Sequence, residues 1–159
     1  MRSVRDRELS KPQWLLLLTC LPLILCLAVA YLIIYLLYAF LLHLAVRLFW
    51  SARGIRILYV YSNSPDWQEH IENEILPRLP QGTILLNWSD RKTWRWFGLS
   101  VILFRHFGGH REFNPMAVVF RPFRRTRVFR FFKAFRDLKH GKPGLLNRLE
   151  ADFFEELRR

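Results

Sequence analysis

Two histidines four positions apart, His106 and His110, bracket Phe107-Gly108-Gly109 and are followed by Arg111. On a helix that spacing sets both imidazoles on one face, where they could ligate one metal ion. The paired glycines oppose a helix through the span, and neither a cysteine nor a third histidine stands nearby. A metal is therefore not expected, and a tight glycine turn with two exposed or hydrogen-bonded histidines is the ordinary reading. Gly108, Gly109, His110 and Arg111 can instead form a nest of backbone N–H groups beside a basic side chain, suited to a phosphate. No Lys-Ser pair of the P-loop kind follows it.

A second group, Ser62, Ser64, Asp66, Glu69 and His70, contains the residue types of a serine or carboxylate mechanism. Helix capping and an exposed acidic face account for the same residues. The strongest functional signal is a basic series, Arg121, Arg124, Arg125, Arg127, Arg130, Lys133, Arg136 and Lys139, interleaved with Phe123, Phe129, Phe131, Phe132 and Phe135. Such a surface attracts phosphates, whether of lipid headgroups or of RNA. The alternative is a solvated arginine face over a phenylalanine core.

These groups need elements to hold them. Ile55 to Tyr61 is β-branched and aromatic and predicts a buried strand, ending in Ser62-Asn63-Ser64-Pro65. A helix is expected to start there, with Ser64 as N-cap, Pro65 at its first position and Asp66 at the positive end of its dipole. Trp67, Ile71, Ile75 and Leu79 supply its apolar stripe. Thr83 to Trp88 predicts a second strand, and Trp94 to Phe107 is long enough for a helix but rich in strand formers. Met116 to Arg121 and Arg127 to Phe132 predict an antiparallel hairpin, the second run alternating at period two. Leu145, Leu149, Phe153 and Leu157 mark a closing amphipathic helix.

Ahead of this α/β region lies a run with no charged side chain from Trp14 to Phe40. About 20 apolar residues cross a bilayer as a helix. The expected organisation is a basic leader over residues 1–13, a membrane segment over 14–50 and a basic soluble domain over 51–159. Within 14–50 a spanning helix near residues 14–38 would continue into an interfacial piece, Leu41 to Trp50, with His43 and Arg47 on one face. Ala28-Val29-Ala30 resembles a signal-peptidase site, but cleavage there would leave an exposed apolar end, so an uncleaved anchor is expected. Lys and Arg flank both ends of the run, so the positive-inside rule chooses no side. Basic flanks also fit a re-entrant hairpin. A cytoplasmic domain is expected because the chain carries 25 Lys and Arg against 13 Asp and Glu, a net charge of +12 suited to an anionic leaflet.

The order strand, helix, strand, helix, strand, strand, helix over Ile55 to Leu157 resembles the thioredoxin-like fold. Tyr61 to Trp67 (YSNSPDW) stands where that family has its active-site turn, Asn114-Pro115 where it places a cis proline, and the Met116–Phe132 hairpin leads to a last helix. The resemblance implies that Ser62, Asn63, Ser64, Pro65 and Asp66 form a degenerate active-site turn and that Pro115 is the cis proline. Asn63 and Asp66 replace the two cysteines of the C-x-x-C box. The chain's two cysteines, Cys20 and Cys26, lie in the apolar run. Dithiol exchange needs a thiolate, so the domain is excluded from that chemistry. A Rossmann-type sheet is the structural alternative, although no G-x-G-x-x-G follows the first strand.

The expected function is a membrane-anchored, non-catalytic adaptor or assembly subunit, without a cofactor. Its partners would be a membrane-associated protein complex and anionic lipid, with nucleic acid ranked below both. Arg124, Arg125, Arg127, Arg130, Lys133 and Arg136 would supply the anionic contact. The competing class is an enzyme of a membrane-associated phosphorylated lipid or glycan, using the loop from His106 to Arg111.

Overall fold

A computed structural model describes residues 11–109, 114–121 and 125–158, with the backbone alone for 11–18. Helix α1 runs from Lys11 to Ala45 without interruption, Pro22 included. Leu25, Ile33, Leu37 and their neighbours are exposed around its whole circumference. A helix apolar on all sides belongs in a protein core or a bilayer. At 1.5 Å per residue, its 35 residues extend about 52 Å. It is long and apolar enough to cross a membrane. A π turn, Val46–Trp50, and a 3-10 turn, Ser51–Arg53, carry the helical path on to Gly54.

The chain divides into two compact units, one ending at Leu42 and one beginning at His43. The second unit is built on a four-stranded sheet in the order β2-β1-β3-β4. Its strands are β1 (Ile57–Tyr61), β2 (Thr83–Asn87), β3 (Met116–Val119) and β4 (Arg127–Arg130). β1 pairs parallel with β2, while β1 with β3 and β3 with β4 pair antiparallel. Ile57 to Val60 are all buried because β1 is central and covered on both faces, which is why it reads as an unbroken apolar run.

Register sets the two faces. Tyr59 pairs with Ala117, and Ala117 with Phe129, so these side chains share one face. They join Ile71, Ile75, Phe131, Phe135, Leu146 and Phe153 in the main core. The helices supplying that layer are α2 (Gln68–His70), continued by a π turn to Ile75 and a 3-10 turn to Arg78, α4 (Phe132–Lys139) and α5 (Gly144–Arg158). The Tyr59 hydroxyl is buried there and has no hydrogen-bond partner among the described residues. Burial, then the charges of Glu150 and Tyr61, push its pKa up.

Helix α3 (Leu99–Gly108) packs against β1 and β2 on the opposite face. Its Val101, Phe104 and Gly108 are buried at positions i, i+3 and i+7. An added Cβ on Gly108 would lie 3.2 Å from Cε2 of Phe104, one turn earlier on the same helix, and in ordinary contact, 3.6 Å, with Met116 Sδ of β3. That segment was ambiguous by composition; burial of one helical stripe decides in favour of helix over β propensity. Trp50, from the π turn, meets Phe120 edge-on at 5.6 Å and completes this layer.

Three elements differ from expectation. The strand β4 stops at Arg130, and α4 begins at Phe132, within the run expected to be strand through Phe132. Ala134 and Phe135 are buried on α4, so helical packing takes over once the strand's partner, β3, has ended at Met116. At the start of the helical segment after β1, the Ser64 carbonyl rather than its hydroxyl accepts from the Trp67 and Gln68 amides, and α2 starts at Gln68. On α5 the expected Leu149, Phe153 and Leu157 do face the core and are joined by the buried Leu146, Phe154 and Glu156, while Leu145 is exposed.

Candidate functional site

The parallel pairing of β1 and β2 opposes Tyr61 to Asn87, so the turns following the two strands emerge side by side. Asn87 Nδ2 donates to Asn63 Oδ1 (2.6 Å), the Asn63 amide donates to Ser89 Oγ (2.9 Å), and the Ser89 amide donates to Asn87 Oδ1 (3.0 Å). This three-bond ring fixes Asn63 against the start of the 3-10 segment Trp88–Thr93. Trp67 Nε1 donates back to the carbonyl and hydroxyl oxygens of Ser62, both at 3.2 Å. Ser62 is buried, and its hydroxyl is an acceptor within the turn.

Beside these groups is a concavity of about 340 Å³ lined by Ser62, Asn63, Ser64, Trp67, Trp88, Ser89, Asn114 and Phe132. Asn114 belongs to it because the Asn114–Pro115 peptide, which is cis, precedes β3 at the same end of the sheet. Trp67 meets Phe132 edge-on at 6.0 Å, which sets an aromatic wall. The lining is aromatic with amide and hydroxyl groups at its lip. That chemistry suits recognition of an apolar group with a few hydrogen bonds. Pro65 and Asp66 lie outward of it, Asp66 paired with Lys139 of α4 at 2.8 Å. His70 meets Glu150 of α5 at 2.6 Å on that outer side.

The glycine loop lies elsewhere. His106 is half-buried on α3, with its ring 4.9 Å from that of Phe107, and Phe107 in turn meets His43 at 6.1 Å. It does not line the concavity. Gly108 is a packing residue, and Gly109 ends α3 at φ 69°, a left-handed value that favours glycine. His110 and Arg111 fall outside the described residues. Among the described residues no three His, Cys, Asp or Glu side chains gather as metal ligands do.

Desolvation, and then the neighbouring His43, lower the pKa of His106 below the ordinary 6.5. The unfolded chain then binds more protons than the folded one between the two values, so this group's contribution favours folding at higher pH and weakens as pH falls through 6.5. An NMR titration of the full chain in micelles is expected to place the His106 midpoint below 6.5, and a midpoint at or above it contradicts the burial.

Members of the basic series differ in their partners. Arg121 Nε and Arg127 Nη1 both reach the buried Glu156, at 3.0 and 2.7 Å. Arg130 Nη2 donates to the Phe107 carbonyl near the end of α3 (3.2 Å). Arg125, Lys133 and Arg136 are exposed, and Arg124 is outside the described residues. Phe129, Phe131 and Phe135 are core residues, whereas Phe132 reaches the concavity. The sequence places Trp67 in the turn after the first strand and Phe132 in the basic series, but Trp88 and Ser89 have no place in the sequence-based site. The only signal for those two is their position at a strand end, and the meeting of all four depends on the strand order.

The fold and site define a small α/β unit with a mixed sheet, headed by a helix able to span a membrane. No family model, characterised protein or solved structure matches the chain in comparisons with known proteins.

Proposed function

We propose that this chain is a membrane-anchored, non-catalytic adaptor or assembly subunit whose α/β unit is a thioredoxin-like domain adapted to binding. The sheet order β2-β1-β3-β4, with only β1 and β2 parallel, and the position of Asn114-Pro115 before β3 support the fold reading. The apolar surface of α1 supports the anchor, since leaving it in water carries a large hydrophobic cost. The net charge of +12 favours a cytoplasmic placement against an anionic leaflet.

The single observation that carries the binding reading is the concavity after β1. Its eight lining residues are Ser, Asn, Trp and Phe, so it presents aromatic faces and amide dipoles in place of the thiolates that a redox domain needs. The occupant proposed is an apolar side chain of a membrane-associated protein partner. Anionic headgroups are met separately by exposed cations such as Arg125, Lys133 and Arg136.

The test uses the full chain in its native membranes with a photo-crosslinking residue at Ser64, and a control at the exposed Asn147 of α5. A discrete crosslinked protein from Ser64, absent from Asn147, is expected. Equal, diffuse labelling at both positions rejects the site. Turnover of a phosphorylated lipid or glycan that is abolished by His106→Ala would replace this reading with an enzymatic one.

A further inference from the structure

Outside α1, the most exposed aromatic side chains of the described residues are Trp96, 67% exposed, and Phe97, 85% exposed. They are adjacent, and they occupy the two central positions of a tight turn closed by the Gly98 amide donating to the Arg95 carbonyl at 2.8 Å. The base of the turn is fixed, because Trp94 packs edge-on against Phe104 of α3 at 5.7 Å. A rigid root with two large apolar groups at its tip is a costly arrangement in water.

The charges around the tip have one sign. Arg91, Lys92, Arg95 and Arg105 are exposed, and the one acid in the stretch from residue 90 to 105 is Asp90. Arg105 lies over the Trp96 ring, with its guanidinium carbon 4.5 Å from the ring centre. An arginine on the face of a tryptophan keeps that ring partly polar, as suits the headgroup layer where both residue types concentrate.

We infer that the Trp96–Phe97 turn is a second membrane contact, seating its two rings in the interfacial layer of the bilayer that α1 crosses. The inference rests on the anchor proposed above, and it assigns membrane contact to a part of the domain separate from the Arg125–Arg136 region. The occupant is lipid because a chain anchored by α1 has a bilayer within reach at high effective concentration, and because the flanking cations complement anionic headgroups. A convex two-residue tip enters a soft layer without needing a matched pocket. The contact would hold the domain to the bilayer at a second point besides the anchor.

The test places a nitroxide through Phe97→Cys, in a background of Cys20→Ser and Cys26→Ser, in the full chain reconstituted into phosphatidylcholine and phosphatidylglycerol vesicles. Asn147→Cys, on an exposed position of α5, is the comparison. The expected result is a several-fold lower collision rate with a water-soluble nickel reagent, and a higher rate with oxygen, at position 97 than at 147. Equal nickel accessibility at the two positions, in chains that resist carbonate extraction, overturns the inference alone and leaves the turn to a protein partner. Release of the chain by carbonate overturns the anchor and this inference together.

Discussion

Phe153→Ala is expected to lower the stability of the α/β unit by about 4 kcal/mol, the range found for buried phenylalanine truncations. Phe153 is fully buried on α5 and lies within 6.1 Å, centroid to centroid, of the rings of Tyr59, Phe129, Phe131 and Phe154. Those neighbours come from β1, β4, the β4–α4 junction and α5 itself, so they cannot close over the vacated volume without moving the sheet against the helix. Domains of this size are stable by about 5–15 kcal/mol, so the loss is a large fraction of the total. Denaturant unfolding of the full chain in micelles measures it, and a loss under about 1 kcal/mol would show that the cluster is loosely packed.

Glu156→Ala is expected to cost about 3 kcal/mol, for a different reason. The Glu156 side chain is 3% exposed and meets Arg121, which is 14% exposed, and Arg127, which is 56% exposed. Arg121 also donates through Nη2 to the Glu156 carbonyl at 2.6 Å. Removing the carboxylate leaves Arg121 largely buried without its counter-charge, while Arg127 can turn to water. The penalty therefore belongs mainly to one orphaned arginine. Removing both sides of that pair with Glu156→Leu and Arg121→Met together should restore part of the stability, because an apolar replacement of matched volume leaves no buried charge. A double variant less stable than Glu156→Ala would contradict this account.

The same ion-pair cluster shows why a charge pattern in sequence is an incomplete guide to a surface. Arg121, Arg127 and Arg130 read as members of one basic stripe, yet two of them serve a carboxylate on α5 and one holds the end of α3. Their partners lie between 23 and 35 residues away along the chain. No local spacing encodes such contacts, since they arise only once α3 and α5 are laid on opposite faces of the sheet.

The sequence by itself determined the features that depend on a residue's near neighbours. The uncharged run from Trp14 to Phe40 dictates an apolar helix, the β-branched and aromatic Ile57–Tyr61 a buried strand, and Ser62 to Pro65 a turn at its end, because each is decided by burial pattern and backbone preference within a few residues. Tertiary structure alone decided where β4 gives way to α4, that Leu146 and Phe154 of α5 are buried while Leu145 is not, and that Asn63, Ser89, Asn114 and Phe132 share one concavity. It also left Trp96 and Phe97 at the tip of a turn, although they belong to the run Trp94 to Phe107 that the sequence offered as helix or strand. The physical reason is that side-chain burial is a property of the whole sheet and its two covering layers, whereas helix, strand and turn preferences act over one or two turns of chain.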